Sequence, residues 1–204
     1  TPSIQLLIDR SGSMDTNLPN TNTSRYDAMH DALVGANGVV SSLENKVYFG
    51  ARLFSADNPC PKLYSQGRAM GNASTIKTLI ESQNPNGNTP TAPSIDQVVA
   101  DFAANPPPAG SPPVIVLATD GLPNSCNGND DTTAQTVVAA QAAYTAGIRL
   151  FVLGIAGVND SFLQQVANAG AGVQMNQPNA PYYTANSPAQ LQQAFQQIIG
   201  GVVS

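Results

Sequence analysis

Asp9, Ser11 and Ser13 stand at alternate positions in Asp9-Arg10-Ser11-Gly12-Ser13, directly after the apolar run Ile4 to Ile8. A chain just leaving a buried strand can turn these three side-chain oxygens toward one point. A carboxylate with two hydroxyls is half of a cage for a hard cation. A second acid, Asp120, lies in Thr119-Asp120-Gly121 at the end of another apolar run, Val114 to Ala118. If the two strands are neighbours, about 4.8 Å apart, both carboxylates reach a common point and one ion can sit between them. Taken singly, the same residues are ordinary helix caps and turn formers.

The elements that must position these groups follow from the hydropathy pattern. Ser3 to Ile8, Val114 to Ala118 and Ile148 to Ile155 are almost wholly apolar, as expected of strands covered on both faces. Lys46 to Ser55 alternates, with Val47, Phe49, Ala51 and Leu53 on one side, and predicts a further strand. Pro59, Pro61 and two glycines limit the segment from Ala56 to Gly71 to a short edge strand at Lys62 to Ser65. Tyr182 to Thr184 is a second edge candidate. Helical spacing predicts one helix over Arg25 to Leu43, capped by Ser24 and weakened by Gly35 and Gly38, and another over Ser74 to Gln83. Pro93 opens a helix that stops before Pro106, and Thr132 to Ala146 and Asp160 to Ala169 are two more. Ser187 caps the last, whose apolar stripe is Leu191, Phe195, Ile198 and Ile199. Strands alternating with helices predict one three-layer α/β domain over residues 1–204, with a doubly wound, mostly parallel sheet. Such a sheet places its ligand beyond the carboxyl ends of its strands, where the strand order reverses.

Composition excludes several partners. The net charge is -5, only 10% of residues are charged, and the eight Lys and Arg residues are scattered. That pattern disfavours nucleic acid and anionic membrane surfaces, which need clustered cations. No apolar run approaches the roughly 20 residues that span a bilayer. Thr1 is not a start methionine and no signal segment precedes it, so any signal peptide is expected to lie outside this sequence. Cys60 and Cys126 can form one disulfide in an oxidising compartment, or remain thiols in a reducing one.

With Asp9-x-Ser11-x-Ser13, an isolated Thr89 in Gly87-Asn88-Thr89-Pro90 and Thr119-Asp120-Gly121 in that order, the chain resembles the von Willebrand factor type A domains that carry a metal-ion-dependent adhesion site. The resemblance covers essentially the whole chain. It implies a Rossmann-like sheet of order 3-2-1-4-5-6 with one antiparallel edge strand. It also implies that Ser11, Ser13 and Thr89 coordinate the ion directly, while Asp9 and Asp120 act largely through bound water. Oxygen-only, six-coordinate ligation suits Mg²⁺ best, with Mn²⁺ or Ca²⁺ able to enter. With the carboxylates mostly one shell out, the cation stays under-neutralised and keeps a position for an acidic group on a partner. Thr91 is a rival ligand to Thr89, and Asn88 departs from the second glycine that many relatives carry there. In the family's strand order Cys60 and Cys126 both fall on the metal-site face, about two strand spacings apart. Bridging them would contribute on the order of 4 kcal/mol in the chain-entropy model.

The expected function is therefore an extracellular or cell-surface adhesion module, part of a longer surface protein, that binds a protein or surface ligand presenting a carboxylate. A scaffold subunit of an intracellular complex is the alternative. A Mg²⁺-dependent phosphohydrolase with Asp9 as nucleophile is disfavoured, because Ser11 stands where a second acid is needed and Arg10 is the only basic residue expected near either acidic strand end. There is no Gly-x-Ser-x-Gly elbow and no histidine partner for a serine nucleophile, so no enzyme is expected. His30 is read as a helical residue. The Asn127, Asn129, Asp130, Asp131 cluster lacks the alternating acids of a dedicated Ca²⁺ loop. Sequons at Asn22, Asn72 and Asn159 matter only where the source glycosylates.

Overall fold

The computed structural model describes residues 1–204. Six strands form one sheet: β1 (Ser3–Asp9), β2 (Tyr48–Ser55), β3 (Lys62–Ala69), β4 (Pro113–Thr119), β5 (Arg149–Ile155) and β6 (Tyr183–Ala185). Their order is β3-β2-β1-β4-β5-β6, as expected, and only the β2–β3 pair is antiparallel. All seven residues of β1 are buried, including Ser3, Gln5 and Asp9, which share one face with Leu7.

Seven helices cover the sheet: α1 (Arg25–Val34), α2 (Val39–Leu43), α3 (Ala73–Glu81), α4 (Thr91–Ala104), α5 (Thr133–Thr145), α6 (Asp160–Gly170) and α7 (Pro188–Val203). The alternation of β1 divides the core. Ile4, Leu6 and Ile8 pack with side chains of α1, α2, α3 and α7, whereas Leu7 packs with those of α4, α5 and α6. Gln5 therefore shares its face with Leu7, since side chains two apart on a strand point the same way.

Two elements differ from expectation. The long first helix is broken into α1 and α2, because the chain folds back at Gly38 onto the last turn of α1. A Cβ at Gly38 would lie 2.4 Å from the Leu33 carbonyl oxygen. The edge strand β3 runs eight residues instead of four. Its main-chain pairing with β2, irregular between Phe49 and Ala51, extends it through a half-exposed sequence that has no hydropathy signal.

The register brings the chemically loaded ends together. Ile8 pairs with both Leu53 and Ala118, and Asp9 with Phe54, so β1, β2 and β4 finish side by side. The switch point of strand order lies between β1 and β4.

Candidate metal centre

Beyond β1 the chain makes a short 3₁₀ turn, Gly12–Asp15, which swings Ser13 back beside Ser11. Their hydroxyl oxygens lie 3.0 Å apart, and Ser13 donates to Asp120 Oδ1 at 2.7 Å. One oxygen row thus crosses from the end of β1 to the end of β4. Asp9 is fully buried and both of its oxygens are engaged by the chain. Oδ1 accepts the Ser11 N–H at 2.8 Å and Oδ2 accepts the Thr119 hydroxyl at 2.7 Å. Such a carboxylate orients the loop around it.

The third loop is fastened to the first. Asn86 donates its N–H to the Arg10 carbonyl at 2.8 Å, and Gly12 donates to the Gly87 carbonyl at 3.0 Å. Thr89, 6% exposed, follows directly. Its backbone is held reciprocally by Asn124, which accepts the Thr89 N–H on its side-chain oxygen at 2.8 Å and donates its own N–H to the Thr89 carbonyl at 3.1 Å. The hydroxyl of Thr89 has no hydrogen-bond partner in the chain, whereas that of Thr91 is buried and turned back on the Thr89 carbonyl at 3.4 Å. Asn88 donates to the Cys126 carbonyl at 3.3 Å. Its side chain packs on Gly128, where a Cβ would come within 2.7 Å of it. The disulfide Cys60–Cys126 joins the β2–β3 connection to this same loop, with Cα atoms 5.9 Å apart.

Electrostatically the centre is short of positive charge. Burial, and secondarily the charge of Asp120, push the Asp9 carboxyl up to about 6, against the hydrogen bonds from Ser11 and Thr119 that favour its ionised form. Arg25 supplies the one ion pair, its guanidinium lying 2.7 Å from Asp120 Oδ2. This corrects the expectation that Arg10 alone is basic near the acidic strand ends. Arg10 is itself turned away: it bonds Ser55, Asp57 and the Asn84 carbonyl and lies over the Tyr64 ring. Two carboxylates facing one guanidinium, beside free hydroxyl lone pairs, fit a small divalent cation held by oxygen. No group of three or more His, Cys, Asp or Glu side chains is placed to hold a metal ion anywhere in the chain, so a cation here would depend on the serine and threonine hydroxyls beside the two carboxylates.

Other sequence candidates lie elsewhere. His30 bridges Asp31 at 2.9 Å and Glu81 at 3.1 Å on the outer side of α1 and α3. Asp131 bonds the backbone and hydroxyl of Thr133 at the start of α5. Asn72 is buried with its amide committed to the carbonyls of Phe49 and Gly67, and Asn159 caps α6. Arg25 and Asn124 were missed. Arg25 was reachable, because a helix following β1 begins at the carboxyl end of the sheet. Asn124 carries no sequence signal, since its role depends on a loop contact with Thr89 that spans 35 residues.

The family profile of the von Willebrand factor type A domain matches residues 3–197, and the chain belongs to that family. It is 26% identical over 170 residues to the collagen alpha-6(VI) chain of Mus musculus, covering 81% of this chain but only 7% of the collagen chain. Among solved structures it is similar to the manganese-loaded TRAP protein of Plasmodium vivax, with TM-score 0.71 and 20% identity over 100% of this chain and 73% of that one. It is likewise similar to the pilus adhesin SpaC of Lactobacillus rhamnosus GG, with TM-score 0.74 and 19% identity over 99% of this chain and 30% of that one. At these identities the structural likenesses concern the fold.

Proposed function

We propose that residues 1–204 form one type A domain whose loop face is a metal-ion-dependent adhesion site. Ser11, Ser13 and Thr89 would hold a divalent cation directly, Mg²⁺ in first place with Mn²⁺ or Ca²⁺ as substitutes, and Asp9 and Asp120 would act through bound water. The cation, when bound, supplies a Lewis-acidic position for a carboxylate of the partner. The chain's own residues do the rest. Asp9 orients the first loop, Asn124 sets the backbone of Thr89, and Arg25 balances Asp120. The observation that carries this reading is the continuous row Ser11–Ser13–Asp120 across the ends of two neighbouring strands at the switch point.

The partner is a protein or surface ligand, and the surrounding loops set its identity. Membrane insertion plays no part in the proposal, and no helix is long and apolar enough to cross a bilayer. The disulfide favours an extracellular or cell-surface setting over an intracellular scaffold. Adhesion without catalysis fits the site: neither serine has a histidine base, and the basic groups nearby are committed to Asp57 and Asp120.

The test is isothermal titration of the protein with Mg²⁺ and Mn²⁺, followed by a ligand screen in Mg²⁺ and in EDTA, with Asp9→Ala and Asp120→Ala as controls. Saturable cation binding lost in both variants, and ligand capture lost in EDTA, is the expected result. Capture indifferent to all three treatments would overturn the proposal.

A further inference from the structure

A cavity of about 560 Å³ opens at the other end of the sheet, lined by Ser3, Tyr48, Arg68, Asp101 and the run Pro106 to Pro108. Ser3 begins β1 and Asp9 ends it, so six steps of about 3.3 Å place this cavity about 20 Å from the candidate metal centre. Its volume falls within the range of small-molecule sites.

Arg68 and Asp101 on the polar wall of the cavity belong to an incomplete charge network that continues to Arg52 outside the lining. Asp101 on α4 receives Arg52 Nη2 on one oxygen at 2.8 Å and Arg68 Nη1 on the other at 2.6 Å. Arg68 also donates to the Asn105 carbonyl at 2.6 Å and to Gln5 Oε1 at 3.2 Å, and its guanidinium lies 3.8 Å from the centre of the Phe102 ring. The side chains of Arg52, Arg68 and Asp101 are only 16%, 6% and 16% exposed. Two guanidinium groups therefore share one carboxylate, and one positive charge is left without a counter-ion where water screens it poorly.

Unused donors accompany that surplus. Ser3 Oγ, Gln5 Nε2 and Arg52 Nε are buried and have no acceptor. Ser3 and Gln5 occupy alternate positions of β1 on the face that α4 covers, and Gln5 is bonded to Arg68. A buried donor without an acceptor costs free energy comparable to a lost hydrogen bond. Of the three, Ser3 Oγ lines the cavity beside Arg68, and an acceptor-bearing anion there would satisfy it, while Gln5 and Arg52 stand outside the lining.

We propose that this cavity binds a monocarboxylate with an apolar body. The carboxylate, carrying one charge, would offset the surplus charge of the Arg52–Asp101–Arg68 group and accept from Arg68 and Ser3 Oγ, the donors that line the cavity. The body would lie on the proline run and on Met70, which is 40% exposed. A single surplus charge beside largely apolar walls favours this class over a dianionic inorganic oxyanion. The proposal is independent of the cation site.

It is tested by titrating the ¹⁵N-labelled, cation-free protein with octanoate and benzoate, with benzyl alcohol as the neutral control and sodium sulfate as the inorganic one. Saturable shifts at residues 3, 68, 101 and 105 are expected with both carboxylates, with benzyl alcohol and sulfate at least about tenfold weaker, as loss of a charge-assisted hydrogen bond implies. Arg52→Met leaves the Arg68–Asp101 pair intact and should weaken benzoate binding about tenfold or more. Ser3→Ala should weaken it about threefold and covers the case in which Arg52→Met fails to fold. The proposal is overturned by the absence of saturable shifts, which would mean water alone fills the cavity. It is equally overturned by benzyl alcohol binding as well as benzoate, by sulfate binding more tightly, or by both variants binding normally.

Discussion

The two ends of the central strand are near mirror images in charge. Where β1 finishes, two carboxylates, Asp9 and Asp120, face one guanidinium, Arg25. Where it begins, two guanidinium groups, Arg52 and Arg68, face one carboxylate, Asp101. The surplus is negative at one end and positive at the other, and each comes with hydroxyl or amide groups that the chain itself leaves unpaired. The difference lies in tethering. The negative end is built from loops fixed by a disulfide and by main-chain bonds to Asn124, whereas the positive end is built on strands and a helix and depends on the ions themselves.

That contrast can be broken first at the positive end. Asp101→Ala removes the only counter-ion of two mostly buried guanidinium groups and should cost about 3–5 kcal/mol in urea unfolding. At the negative end, replacing Cys60 and Cys126 together by serine should cost about 2–4 kcal/mol in the same assay, through loss of the cross-link on the unfolded chain. Asp120→Ala should behave differently from Asp101→Ala. Stability without cation should fall by less, about 1–3 kcal/mol, because only one guanidinium loses its partner while Asp9 loses a like-charged neighbour. Calorimetric Mg²⁺ affinity, however, should fall on the order of 100-fold. Asn124→Ala, which touches the proposed cation site only through Thr89, should lower that affinity about tenfold. In a Thr89→Ala background the same substitution should add little, as a double-mutant cycle would reveal.

A further expected effect concerns pH. The Asp9 carboxyl is raised in the fold, to about 6, above its unfolded value near 3.8. The folded protein therefore holds this proton over a range where the unfolded chain has released it. The resulting stability is full below about pH 4 and is lost as pH rises toward 6. Urea midpoints of the cation-free protein should follow that slope after subtraction of the same series for Asp9→Asn. A midpoint difference that rises with pH between 4 and 6 would contradict the assignment.

Much of this was legible in the sequence because buried parallel strands write themselves as unbroken apolar runs. Ile4 to Ile8 and Val114 to Ala118 declared both their burial and the strand ends at which Asp9 and Asp120 stand. The edge strand β3 was underestimated because one-sided pairing leaves its residues half-exposed and its pattern mixed. The break between α1 and α2 depends on a backbone approach at Gly38, of which the two glycines gave only a hint. Arg25, Asn124 and the Arg52–Asp101–Arg68 group escaped because each acts through a partner distant in sequence. Period and local composition carry no record of such contacts.

The disulfide also has a mechanical meaning. It closes a ring of chain between residues 60 and 126 that contains β3, α3, α4 and β4, and with them Thr89 and Asp120, while Asp9, Ser11 and Ser13 lie outside. Tension applied to the two ends of the chain cannot extend the ring. A sequence separation of 66 residues at about 3.5 Å each keeps about 230 Å of contour locked under load. In a domain pulled from both ends, the Thr89 and Asp120 loops would be shielded from force until the cystine is reduced, whereas the Asp9 strand would be free to peel away.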